Sequence, residues 1–154
     1  MNNEVNRMKE KRLYIAYGSN LNLEQMKYRC PTAKVVGSTK LEGYQLRFCG
    51  ALRGAVATIE PAAADSYVPV LIWDIQPEDE LVLDRYEGYP HLYRKEMLEI
   101  NLNGEMHPAM VYIMNTERIP YGTASSYYFN TILDGYRSAG FDTALLYEAN
   151  NLEL

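Results

Sequence analysis

The sequence predicts a single α+β domain whose strands form a mixed or barrel-like sheet. Three observations carry that prediction. Most of the apolar segments are short and rich in β-branched and aromatic residues, they are joined by tight turns, and single helices interrupt them instead of alternating with them regularly. The 154 residues suit one domain, 1–154, with a core of its own. At 47% apolar and 23% charged residues the composition is that of an ordinary globular protein.

The elements follow in order. Leu13 to Ala16 continues into Tyr17-Gly18-Ser19-Asn20, an apolar run at strand spacing that breaks at a turn and leads directly into a helix. Asn22 is the natural cap of that helix, which runs to about Arg29 with Leu23, Met26 and Cys30 inward and Pro31 closing it. Val35 to Leu41 and Tyr44 to Phe48 read as a hairpin about Glu42-Gly43, and Ala55 to Glu60 as a further strand before a loop at 61–65. Val68 to Ile75 is almost continuously apolar, so it reads as a strand buried on both faces or lining a barrel. Pro77 followed by Glu78, Asp79 and Glu80 starts a second helix, which stops at Gly88. Tyr93 to Ile100 and Pro108 to Met114 are strands joined at Asn103-Gly104. Helices near 124–138 and 143–151 close the chain.

Charge and motif content narrow the function. A formal net charge of -5 leaves no basic stripe for a phosphate backbone, so nucleic acid is not an expected partner. The polar stretch from Met1 to Arg12 has no apolar core of secretory length. No later run reaches the roughly 20 apolar residues of a spanning helix, which points to a cytoplasmic protein without a membrane partner. Cys30 and Cys49 form no CxxC pair and read as reduced structural thiols. With His91 and His107 the only imidazoles and no metal-ligand spacing, neither a metal nor another cofactor is expected.

Two places stand out chemically. At the Gly18-Ser19-Asn20 turn, successive N–H groups and the following helix start can form an anion seat; the plain alternative is a turn joining two core elements. Glycine at 18 would admit backbone angles barred to other residues. The second place is Glu87, an acid in the last turn of a helix, where the macrodipole disfavours its ionised form. Tyr86, Tyr89 and Tyr93 can wall off water around it, and desolvation then raises the carboxyl pKa towards the range of a general acid/base. On the other reading Glu87 lies on the solvent side of a fraying helix. Fourteen tyrosines also need partners for their hydroxyls, and Tyr17 and Tyr128 are placed to offer theirs to a polar ligand.

Taken together, Tyr-Gly-Ser-Asn-Leu at 17–21, Arg-Cys-Pro at 29–31, Tyr-Glu-Gly at 86–88 with Tyr93 following, and Gly-Tyr-Arg-Ser-Ala-Gly-Phe at 135–141 resemble the gamma-glutamylcyclotransferase-like family over nearly the whole chain. The resemblance implies a small mixed β-barrel flanked by helices, with the ligand in a cavity at one end. It implies a gamma-glutamyl substrate whose own α-amine attacks the γ-carbonyl, giving 5-oxoproline and a free amine or amino acid. No external nucleophile is needed, which suits a chain without a Ser-His or Cys-His signature. By motif position Glu87 is the acid/base, and the amides of Gly18 to Leu21 (Gly18, Ser19, Asn20, Leu21) hold the α-carboxylate. Tyr128 is the substrate-contacting tyrosine, with Tyr127 its competitor, and Tyr93 closes the site. Ser19 is taken as a hydrogen-bonding residue, not a nucleophile. Many members of the family have glycine where this chain reads Val-Pro-Val-Leu at 68–71, which would narrow the cavity. The competing readings are a noncatalytic domain holding an amino-acid-like carboxylate, which requires an exposed Glu87 of ordinary pKa, and hydrolysis to glutamate. A monomer or weak homodimer is expected.

Overall fold

The computed structural model describes residues 12–150. The polar amino-terminal stretch other than Arg12, and the carboxyl end of the closing helix at Asn151, lie outside the described residues. Strand β1 (Arg12–Ala16) is followed by a 3-10 turn (Ser19–Leu21) and helix α1 (Leu23–Arg29). Strands β2 (Lys34–Glu42), β3 (Tyr44–Cys49), β4 (Val56–Pro61) and β5 (Tyr67–Ile75) precede helix α2 (Pro77–Glu87). Strands β6 (Tyr93–Leu102) and β7 (Glu105–Met114) and helices α3 (Ser126–Ala139) and α4 (Ala144–Asn150) complete the order.

The α+β class with a mixed sheet is as the sequence predicts. Five strands pair in the order β2-β5-β1-β7-β6, with β1 parallel to β7 and its other neighbour antiparallel. The sheet is not a closed barrel, but it curls. Gly37 of edge strand β2 approaches Leu102 of the opposite edge β6, where an added Cβ would stand 3.6 Å from the leucine Cδ2. Strands β3 and β4 form a separate two-stranded ribbon.

That ribbon corrects the hairpin expected at Glu42-Gly43. β2 pairs with β5 throughout, from Lys34 opposite Asp74 to Glu42 opposite Tyr67, while β3 pairs with β4. The backbone groups of Gly43 are taken by the β4–β5 connection: its N–H donates to Ser66 O at 2.8 Å and its carbonyl accepts from Ala62 N–H at 2.9 Å. The turn is therefore a corner between two sheets. Gly43 supplies the left-handed angle the corner needs, φ 79°.

The core lies between the curled sheet, the ribbon and α3. Val68, Val70, Ile72 and Ile75 of β5 are almost wholly buried, as the apolar run predicts. On α3 the buried residues Phe129, Ile132, Leu133 and Tyr136 repeat at helical spacing, and each contributes roughly 1.5–3 kcal/mol by leaving water. In α1, Asn22 caps the helix through Gln25 N–H at 3.0 Å, and Met26 and Cys30 face inward. Leu23, expected inside, is exposed, because only one face of this two-turn helix meets the core. Among the described residues no helix is long and apolar enough to cross a membrane.

Candidate active site

The 3-10 turn is pinned from several sides. Its first internal bond runs from Leu21 N–H to Gly18 O at 3.0 Å, so the amides of Ser19 and Asn20 carry none of the turn's own bonds. Asn20 donates to Tyr14 Oη at 2.9 Å and accepts from Arg29 at 2.7 Å, while its carbonyl receives the Trp73 indole at 3.1 Å. Ser19 Oγ lies 2.9 Å from Tyr86 Oη.

At Gly18 the absence of a side chain matters. Its φ is -121°, outside the left-handed region. What it supplies is space: a Cβ would stand 3.3 Å from Ala57 Cβ and 3.6 Å from Tyr128 Oη. Leu21 also departs from the expectation. Its amide is spent inside the turn and its side chain is fully buried against α3 rather than facing the site.

Helix α2 explains the odd acid. Glu80, Asp84 and Glu87 fall at i, i+4 and i+7 and share one face. Glu80 and Asp84 are tied to the sheet through Lys95, at 2.6 and 2.7 Å, and Asp84 also accepts from Tyr112 Oη at 2.6 Å. Glu87, next on that face, has no hydrogen bond or ion pair among the described residues. Gly88 then ends the helix in the left-handed conformation, φ 65°.

Glu87 and the turn meet in one cavity of about 230 Å³. Tyr17, Gly18, Ser19, Asn20, Glu87, Tyr93 and Tyr128 all line it, together with Tyr14, Tyr86, Tyr112, Val56, Ala57 and Leu92. Six of the fourteen tyrosines therefore surround one space, which accounts for much of the tyrosine surplus. Tyr128 faces the cavity, whereas Tyr127 is 77% exposed and lines a neighbouring groove. Val68, Pro69, Val70 and Leu71 do not line the cavity, and the first two face a separate recess beside Tyr136. Their bulk does not narrow it.

The hydroxyls are divided between structure and free donors. Tyr17 donates to Tyr112 O at 2.7 Å and Tyr93 to Ala57 O at 2.6 Å, so both protons are committed. Tyr14 and Tyr128 instead accept, from Asn20 Nδ2 at 2.9 Å and from Ala57 N–H at 3.0 Å, which leaves their own protons for another oxygen. Burial pushes the phenols of Tyr14, Tyr17, Tyr93, Tyr112 and Tyr128 upward, so all five stay neutral at working pH. Tyr112 escapes sequence reasoning because it lies on β7, far from the turn in sequence, while Tyr14 joins the site through its bond from Asn20 of the turn.

Glu87 keeps partial access to solvent through the cavity it lines, while the protein crowded about its carboxyl group pushes the pKa up to about 7. Burial is the cause, and the positive charge of Arg29 works against it. The linkage sign follows. Between the ordinary 4.5 and about 7 the unfolded chain releases this proton before the folded one, so stability falls as pH rises through that window. Glu87→Gln is expected to raise Tm relative to the parent at pH 8, with the gain shrinking towards pH 4.5; thermal unfolding at both pH values checks this. An equal difference at both would mean the carboxyl is not desolvated.

Known proteins share this fold. The family model described as gamma-glutamyl cyclotransferase, AIG2-like, matches residues 14–129. A solved structure of a gamma-glutamyl cyclotransferase superposes with a TM-score of 0.80 at 24% identity, covering 94% of this chain and 89% of that one. An uncharacterized human protein gives 0.79 at 24% identity with the same coverage. A yeast gamma-glutamyl cyclotransferase specific to glutathione gives 0.60 at 15% identity, covering 92% and 96%. No curated protein gives a significant match. At these identities the solved structures speak to the fold alone, while the family match spans the turn, Glu87 and Tyr128, and by it this chain belongs to the AIG2-like gamma-glutamyl cyclotransferase family.

Proposed function

We propose that this protein cleaves a gamma-glutamyl amide by intramolecular aminolysis, giving 5-oxoproline and a free amine. The observation that supports the reading most is Glu87: a carboxyl without hydrogen bond or ion pair among the described residues, held in the cavity beside the turn, with its pKa pushed up to about 7. The noncatalytic reading asks for an exposed Glu87 of ordinary pKa, and this one is neither.

The substrate's α-carboxylate rests on the free amides of Ser19 and Asn20, within the space that Gly18 leaves open. That anchoring folds the glutamyl chain so that its amine reaches its own γ-carbonyl, an effect that can supply several kcal/mol. A carbon–nitrogen bond forms to close the ring, and the amide bond to the leaving nitrogen breaks. The ammonium loses two protons in becoming the ring N–H, and the leaving nitrogen gains two in becoming an ammonium ion. Glu87, shuttling between the two nitrogens, balances the reaction without an added nucleophile. Tyr14 and Tyr128 have protons to donate to the oxyanion that forms in between. Ser19 is bonded to Tyr86 and acts in positioning.

A panel of gamma-glutamyl amino acids and amines, with products separated chromatographically, tests the reading. The expected product is 5-oxoproline; glutamate in its place would mean hydrolysis, and no product from any member would contradict an enzyme of this kind. Gly18→Ala bears on the anchoring step. A Cβ 3.3 Å from Ala57 and 3.6 Å from Tyr128 Oη intrudes on the carboxylate seat, so kcat/KM is expected to fall about 10- to 100-fold with the protein still folded. Unchanged steady-state kinetics would place the carboxylate elsewhere.

A further inference from the structure

The cavity of about 230 Å³ is below the roughly 300–1,000 Å³ usual for small-molecule sites, so a substrate with a sizeable leaving group must extend beyond it. A groove of about 770 Å³ lies next to it, and Tyr86, 43% exposed, lines both. Arg29 stands in that groove at the shared wall. Its guanidinium carbon is 3.7 Å from the centre of the Tyr86 ring, one terminal nitrogen donates to Asn20 Oδ1 at 2.7 Å, and the other donates to Gln25 Oε1.

These contacts fix the guanidinium without neutralising it. All three partners are uncharged, and among the described residues Arg29 has no ion pair, though its charge also acts on Glu87 across the shared wall. Glu24 and Asp134 line the same groove and leave it unpaired. Two side-chain contacts leave several of the five N–H donors of an arginine unused. The site is half-buried, where a charge is screened less than at the surface. An oriented cation with spare donors, at the point where a leaving group quits the cavity, is suited to a carboxylate.

We infer that Arg29 is a specificity-determining residue that binds the carboxylate of the leaving amino acid, so that gamma-glutamyl amino acids are taken in preference to gamma-glutamyl amines. The inference rests on the cyclisation reading for the word "leaving" and on geometry for the rest. In a gamma-glutamyl α-amino acid the second carboxylate is two bonds from the scissile nitrogen, so it follows the leaving group past Tyr86 into the groove. Arg85 lines the same groove but is exposed and lacks such contacts, so it is not prearranged in this way.

The test separates binding from chemistry. In a Glu87→Gln background, calorimetry would measure the Kd of gamma-glutamyl-alanine and of gamma-glutamyl-ethylamide, which differ only by the leaving group's carboxylate. A charge-assisted pair predicts about 10- to 100-fold tighter binding of the alanine compound. Arg29→Met should bring that ratio to about one, Arg29→Lys should leave part of it, and Arg85→Met should keep it, with thermal unfolding confirming that each variant is folded. A ratio near one with Arg29 present overturns the inference. So does an equal loss for both compounds in Arg29→Met, which would put Arg29 on the glutamyl half, or a ratio that collapses with Arg85 instead. A protein with Glu87 intact that forms no 5-oxoproline would sink the cyclisation reading and leave the Kd ratio to decide the role of Arg29.

Discussion

Glu87→Gln is expected to lower kcat/KM for a gamma-glutamyl amide by about 10²- to 10⁴-fold, the range of a positioned general acid/base. Glutamine keeps the shape and hydrogen-bonding capacity of the side chain but cannot carry a proton between the two nitrogens. Substrate binding should survive, because the proposed carboxylate seat, the amides of Ser19 and Asn20, lies on a different element. The parent protein has a matching pH signature. Glu87 must be ionised to take the first proton, and its pKa is pushed up to about 7, so kcat/KM should fall about tenfold per pH unit below that value. An acid limb centred near 4.5, the ordinary value, would mean that the carboxyl is solvated and that burial does not tune it. Arg29 works against the burial, so its removal should move the limb to higher pH.

The second large effect concerns stability and reverses a common rule. Glycine in a helix interior is normally worse than alanine by roughly 0.5–1 kcal/mol, so Gly→Ala ordinarily stabilises. Gly135, in the middle of α3, is the exception. A Cβ there would lie 2.6 Å from Leu21 Cβ, 2.7 Å from Leu21 C and 2.9 Å from Leu21 O. Two of these atoms are backbone, so no side chain can step aside, and the helix and the turn must separate. Gly135→Ala is expected to cost about 2–4 kcal/mol, a Tm drop of roughly 5–15 °C, and to weaken substrate binding by displacing the turn proposed to seat the carboxylate. A Tm equal to or above that of the parent would show that α3 does not press on the turn.

Gly135 also marks what can be read from the chain and what cannot. The strand-turn-helix opening, the Pro77 start and Gly88 stop of α2, and the apolar β5 were legible because each is written in adjacent residues. The pairing of strands was not. Glu42-Gly43 has the chemistry of a reversal, but whether a reversal makes a hairpin or a corner depends on what Gly43 bonds to, and its partners are Ser66 and Ala62 of a later connection. The parallel contact of β1 with β7 joins residues almost a hundred positions apart, and it brings Tyr112 beside the site.

The site shows the same division. Tyr17, Gly18, Ser19, Asn20, Glu87, Tyr93 and Tyr128 could be picked out in the sequence, and they line one cavity. What each does there depends on neighbours that no local pattern reveals. The hydroxyls of Tyr17 and Tyr93 are held by the carbonyls of Tyr112 and Ala57, whereas Tyr14 and Tyr128 keep theirs free. Gly18 leaves open the space beside Ala57 and Tyr128. Arg29, a single letter of the Arg-Cys-Pro motif, gains meaning only from its stacking on Tyr86 beside the cavity.

Glu87 is proposed to move the protons of a cyclisation. The most direct test is to quantify 5-oxoproline released from gamma-glutamyl-alanine at pH 8 by the parent protein and by Glu87→Gln, side by side and against a protein-free control. Stoichiometric 5-oxoproline and alanine are expected from the parent, and a rate at least about 100-fold lower from the variant. Equal rates from the two proteins, or glutamate as the product, would contradict the proposal.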